Sequence, residues 1–252
     1  MLSEPLAWVV GSVVLYAAAT NLAWAAEVGD GRHSMLRRAR MISRDPRAVE
    51  LLRAAYLLGV PVLALATRVA HPTSLGLVIP ASLAASVAAL AVVAATVIAI
   101  IGSRSMLARA LGWTWRAEAI VPPADQLARL ALVALLLESH WAFFRAAGLS
   151  VAGANPTLAV YVALGLLAVE AWSNPALRVV HDGTLGAARQ ARTGALAVMS
   201  GTVFLITGSS ISSLVGHLLV GVAVMALLPS PAQDADREGA GSDVSSVEPT
   251  IV

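Results

Sequence analysis

Glu138, His140 and Arg145 stand close together in LLLESHWAFFRAAGL, residues 135–149, a segment otherwise built from apolar side chains. Two further ionisable groups have similar surroundings: Glu170 in LLAVEAWSNP and His217 in SSLVGHLLVG. A carboxylate and a histidine that meet in one shielded cavity have the makings of hydrolytic chemistry. Glu138 or Glu170 would activate a water molecule, and His217 would stabilise the oxyanion that follows. The same residues also suit a plainer task, as hydrogen-bonded links between helices worth about 1 kcal/mol or less per contact. The two uses are separated by whether the side chains converge.

Those residues are set in a chain made for lipid. Of 252 residues, 58% are hydrophobic and 13% charged, against roughly 25% charged in an ordinary soluble domain. No Asp, Glu, Lys or Arg occurs between Val69 and Ser103, between Ala146 and Val169, or between Thr193 and Gln233. A spanning helix needs about 20 apolar residues, so the chain reads as an all-α, polytopic transmembrane helical bundle. Every one of the 17 basic residues is Arg, which reflects codon bias and not function. There is no Cys, hence no disulfide, thiolate nucleophile or Cys-ligated metal. A net charge of +2, with Arg spread over membrane-flanking loops, gives no nucleic-acid partner. No His-Glu-x-x-His or similar spacing is present, so no metal is expected, and no glycine loop suggests a phosphate cofactor.

About seven spans position the polar groups, at 5–26, 51–70, 76–101, 126–148, 157–173, 192–207 and 211–228. Together they form one transmembrane domain over 1–228. The first span lacks a preceding positive charge and follows Glu4, so it is expected to be an uncleaved helix and not a signal peptide. The second has only 14 uncharged residues between Arg53 and Arg68, and both Arg side chains must snorkel. Its helix should begin at Pro46, capped by Asp45, just as Asn155-Pro156 should open the fifth. Pro61 and Pro80 are candidate breaks in the second and third spans. The tail 229–252 is polar and rich in Ser, Gly, Asp and Glu, the composition of a disordered segment.

Arg placement orients the bundle. Arg32, Arg37, Arg38, Arg40, Arg44 and Arg47 fall in 27–50; Arg104, Arg109 and Arg116 fall in 102–125; Arg178 and Arg189 fall in 174–191. The alternate loops carry none. The N-terminus is therefore expected outside and the C-terminus in the cytoplasm, in a prokaryotic plasma membrane. Within 27–50, SMLRRARMIS gathers Met35, Leu36, Ala39 and Ile42 on one helical face and Arg on another. Such a helix suits an anionic leaflet, although the positive-inside signal alone accounts for it.

Helical geometry also says where the fourth span must sit. Glu138 and Arg145 are seven apart and share a face with Trp141, whereas His140 lies about 200° round from Glu138. The helix is polar on two sides, needs protein neighbours on both, and is expected at the centre of the bundle. Asn21 and Trp24 add polar groups to the first span. In the last, the four-residue spacings Ser209–Ser213 and Ser212–Gly216 favour close packing.

The C-terminal half, about 126–228, resembles the CPBP family, the CAAX-protease and bacteriocin-processing group of intramembrane endopeptidases. Two stretches carry the likeness. In GTVFLITGSSISSLVGHLLVG, Thr207, Gly208, Ser209 and His217 keep the family's spacing from turn to histidine. In WAFFRAAGL, Phe144 and Arg145 match the end of its Glu-Glu-x-x-Phe-Arg motif. In register, the family's paired glutamates fall on His140 and Trp141, the asparagine four after the last histidine is Gly221, and the middle Phe-x-x-x-His motif has no counterpart. The resemblance thus implies the fold with a degraded catalytic set, in which Glu138, His140, Arg145, Glu170 and His217 are the candidate residues. The reading that follows is a membrane scaffold or partner-binding subunit, its partners the lipid bilayer and a membrane protein. An intramembrane glutamate-type endopeptidase with a rearranged site and a small transporter or channel-like protein are the alternatives.

Overall fold

The computed structural model describes residues 3–29, 33–79, 82–110, 122–153, 155–175, 177 and 184–227, and among them it is helical, without strands. In chain order the helices are α1 (Glu4–Val28), α2 (Ser34–Arg44), α3 (Pro46–Ala66), α4 (Leu83–Ala110), α5 (Ala124–Ala152), α6 (Pro156–Ser173), α7 (Thr184–Thr207) and α8 (Ser210–Leu227). Six of them, all but α2 and α7, are long and apolar enough to cross a membrane. The chain is a multi-pass helical membrane protein. Helix α7, where the sequence places a span at 192–207, has the length for a crossing but falls outside that apolar set. It carries Arg189, Gln190 and Arg192 in its first turns, and its polar Ser200 is wholly buried against neighbouring helices.

Local signals set several helix starts. Asp45 accepts a hydrogen bond from the Arg47 amide (3.0 Å) and Pro46 occupies the first turn of α3; Asn155 does the same for Leu158 (3.0 Å) ahead of Pro156 and α6. Helix α3 runs through Pro61 unbroken. Pro61 offers no N–H to the Leu57 carbonyl, and a wider π-turn over Ala55–Gly59 takes up the misfit. Helix α4 begins at Leu83, later than the span expected from residue 76, because 67–79 folds as a turn docked on α8. Arg68 (φ 62°) and Gly76 (φ 69°) adopt left-handed backbone there. A Cβ on Gly76 would approach the Phe204 ring to 2.5 Å, so only glycine fits. At its other end α4 continues to Ala110, which puts Arg104 and Arg109 on the helix and not in a loop. Arg116, Pro80 and the tail 229–252 lie outside the described residues.

Helix α2 folds back on the end of α1. Arg40 donates to the Ala26 carbonyl (2.6 Å) and the Gly29 carbonyl (2.5 Å), using a cation to satisfy the last acceptors of α1. Arg44 pairs with Glu27 at 3.1 Å on the exposed side.

Helix α5 is the axis of the bundle, in contact with α1, α3, α6 and α8. Every residue from His140 to Gly148 is buried. A helix with one face outward would expose a residue each turn, so this stretch is surrounded on all sides. Two apolar clusters meet on it. One joins Val9, Val13, Ala64, Leu75 and Ala163 to Phe143 and Phe144; the other joins Val93, Ile100, Leu196, Met199, Val203 and Val220 to Trp141. At Gly148 the backbone of α6 crosses so closely that a Cβ would run into the Ala159 carbonyl. The periphery is apolar: Leu15, Leu51, Ile79, Leu83, Ile98, Tyr161 and Trp172 are all exposed, as lipid-facing side chains must be.

Candidate functional site

The five candidate residues are all buried, and they form two sites, not one. On the side of α5 facing α7 and α8, Glu138 and Arg145 make an ion pair, Arg145 Nη2 donating to Glu138 Oε2 at 3.4 Å. Two serines complete it. Ser200 donates to the same Glu138 oxygen at 2.8 Å and accepts from Arg145 Nη1 at 2.7 Å. Ser210 accepts from Arg145 Nη2 at 2.9 Å and passes its own hydrogen to the Leu75 carbonyl at 2.6 Å. The Arg145 guanidinium also lies 4.9 Å from the centre of the Phe204 ring. The remaining edge of Glu138, Oε1, faces His217 Nδ1 at 3.5 Å, a charge-range contact that does not meet hydrogen-bond geometry. The His217 ring lies stacked on Trp141, with centroids 5.5 Å apart and planes at 10°.

The second site lies on the opposite side of α5. His140 Nε2 and Glu170 Oε2 are 2.8 Å apart. The imidazole packs between Phe144 (4.5 Å) and Tyr56 (5.0 Å), and Tyr56 stacks on Tyr16 at 5.0 Å. Asn174 donates to the Tyr16 hydroxyl at 2.8 Å, and Asn21 ties α1 to the Ser173 carbonyl at 3.0 Å. This site therefore joins α1, α3, α5 and α6.

The separation follows from spacing. Two residues on a helix point about 200° apart, so Glu138 and His140 cannot serve one neighbour, while seven residues bring Arg145 back under Glu138. What the candidate set omits is the hydroxyl layer. Ser200, Ser209, Ser210 and Ser213 are buried, and Ser213 donates to the Ser200 carbonyl at 3.0 Å, linking α8 to α7. The four-residue spacing of Ser209 and Ser213 was a usable signal for α8; Ser200, in AVMSGTVF, had none.

The turn 207–210 closes one end. Gly208 takes φ 66°, the Ser209 amide donates to Thr207 Oγ1 at 3.1 Å, and Ser209 accepts from the Ser212 amide at 3.3 Å as the cap of α8. Ser209 Oγ also donates to the Val78 carbonyl at 2.5 Å, and the Ser210 amide to the Gly76 carbonyl at 2.8 Å. The 67–79 turn thus sits as a plug over Arg145.

Glu138 Oε1, Arg145 Nε and His217 Nδ1 are buried without hydrogen-bond partners, as are His140 Nδ1 and the Tyr56 hydroxyl. A carboxylate edge facing an imidazole nitrogen can hold and polarise one water. The cavity against Arg145 and Trp141 measures about 10 Å³, otherwise lined by Val160, Ala163, Leu164, Leu167, Ala197 and Gly201, which is room for about one water and not for a peptide. None of the five residues lines the larger groove of about 420 Å³ between α4 and α7. Among the described residues no three His, Asp or Glu side chains gather as metal ligands.

No protein-family model, characterised protein or solved structure matches the chain. Sequence pattern, fold and these two buried sites are what define it: a helical membrane bundle whose central helix carries a Glu–Arg–Ser–His network on one side and a His–Glu–Tyr cluster on the other.

Proposed function

We propose that the protein is a membrane-embedded scaffold or partner-binding subunit, CPBP-like over its C-terminal half but without that family's protease chemistry. The observation that carries this reading is the engagement of Glu138. Its Oε2 is neutralised by Arg145 and bonded by Ser200, and the residue is 3% exposed. The other departures from the family pattern agree. His140, where the resemblance would put a carboxylate, is held by Glu170. Gly221, in place of an asparagine, lies so close to the Leu130 side chain that any side chain there would have to push it aside.

A partner surface is available on α6. Tyr161 and Trp172 are 68% and 72% exposed, and Gly165 between them has nothing within 4 Å of a built Cβ. An open glycine flanked by aromatic side chains lets another transmembrane helix approach closely. The bundle sits in a prokaryotic plasma membrane with its N-terminus outside and the Arg-bearing ends of α2, α4 and α7 in the cytoplasm.

An endopeptidase with a rearranged site is the second reading, favoured by one observation: Glu138 Oε1 and His217 Nδ1 face each other at 3.5 Å, each unpaired. Purified protein and its Glu138→Gln variant, offered a membrane-embedded reporter peptide, decide between the two. The scaffold reading expects no cleavage by either and a lowered melting temperature for the variant. Cleavage by the parent that Glu138→Gln abolishes without loss of stability would establish the enzyme.

A further inference from the structure

Helices α4 and α7 pack through Val93, Ile100, Leu196 and Met199, a seam that repeats every three or four residues on each helix. The next seam position on α4, four after Ile100, is Arg104. The corresponding position on α7, four before Leu196, is Arg192. Both residues are half-buried, and their charges are close enough to repel one another; among the described residues no carboxylate pairs with either. Two like charges facing across a helix seam weaken it unless an anion stands between them.

Alongside the same seam runs the groove of about 420 Å³, lined by Val92, Ala95, Thr96, Ala99, Val198 and Thr202 among others. Ala99 lies five residues before Arg104, and Ala195, also in its wall, lies three residues after Arg192. At about 1.5 Å of rise per residue the groove opens within about 8 Å of the two arginines. Its walls are mostly apolar and come from about two turns of each helix, so it accommodates a stretch of hydrocarbon chain lying along them. With α3 and α4 each crossing once, Arg104 falls on the same face of the membrane as α2.

We infer that the α4–α7 seam is a specific binding site for an anionic phospholipid, its phosphate held between Arg104 and Arg192 and one acyl chain in the groove. Paired arginines at the end of a hydrophobic cleft match the two halves of such a lipid: planar donors for phosphate oxygens, and apolar walls for the tail. The commitment is to a membrane lipid and not to a free anion, because an apolar groove lies about one to two helical turns from the charge pair on the same two helices. The site is independent of the Glu138 network and of the scaffold reading.

The test uses the full chain delipidated in detergent, with melting temperature and native mass spectrometry as readouts. Phosphatidylglycerol is expected to raise the melting temperature and remain bound at roughly ten-fold lower concentration than phosphatidylcholine. Arg104→Gln/Arg192→Gln should lose that preference while being at least as stable as the parent without lipid, since the repulsion is gone. Ala99→Phe, which fills the groove and keeps both charges, should also weaken retention of phosphatidylglycerol. Equal response to the two lipids, an undiminished preference in the double glutamine variant and in Ala99→Phe, or equal stabilisation by inorganic phosphate would each overturn the inference. Should the double variant not fold, Ala99→Phe alone decides it.

Discussion

Glu138 and His140 are two residues apart on α5 and bind opposite halves of the bundle: Glu138 reaches Ser200 of α7 at 2.8 Å, and His140 reaches Glu170 of α6 at 2.8 Å. A single helical turn therefore fastens the axis to both flanks. Its polar groups act as paired crosslinks, each enclosed by its own aromatic and apolar neighbours.

Removing one member of the Glu138–Arg145 pair strands the other in the core. Arg145→Met is expected to destabilise by about 3–5 kcal/mol, and Glu138→Leu/Arg145→Met by clearly less than the sum of the two single changes. Unfolding in detergent for the four members of this cycle checks it; strict additivity would show that the two charges do not depend on each other.

Ser210 links the buried cation to the plug. Replacing it by Ala removes an acceptor from Arg145 and the donor to Leu75, at a cost of about 1.5–3 kcal/mol. Hydrogen exchange should quicken over 67–79 more than over α1, and equal protection in the two regions would contradict the link.

Two glycines on opposite ends of a contact scale make a matched comparison. Gly148→Val drives a side chain into the Ala159 backbone and should cost upwards of about 3 kcal/mol, whereas Gly165→Val meets open space and should shift stability by less than about 1 kcal/mol. Melting temperatures of the purified variants provide the comparison. A larger loss at Gly165 would mean that its face is already occupied.

Gly221→Asn, which introduces a larger polar side chain, meets Leu130 and is expected to destabilise by about 1–3 kcal/mol. Leu130→Ala should recover part of that loss in the double variant, read as a non-additive cycle. Without recovery, the steric account of Gly221 fails.

Much of this arrangement was legible beforehand because helical spacing is a strong constraint. The 200° between Glu138 and His140 and the return of Arg145 under Glu138 need only the 3.6-residue period, and Asp45-Pro46 and Asn155-Pro156 mark helix starts by local hydrogen bonding. The hydroxyl partners were harder. A serine inside a membrane helix more often bonds its own backbone, as Ser12 does to Val9, so nothing in the local sequence singles out Ser200 as the Glu138 ligand. Tyr16 and Tyr56 look interfacial by type, and only the fold stacks them beside His140. Residues 76–82 continue an apolar run into α4, but the left-handed backbone at Gly76 and the bonds to Ser209 and Ser210 turn the chain aside.

The plug over Arg145 has a consequence for biogenesis. Leu75 and Val78 find their partners 135 and 131 positions later, at the start of α8. Until α8 is inserted, the guanidinium lacks Ser210 and the turn has no seat. A nascent chain cut before residue 210 would keep the Glu138–Arg145 ion pair and Ser200 but leave one guanidinium donor without its acceptor and the 67–79 turn without its anchors, so the plug is a late-forming part of the fold.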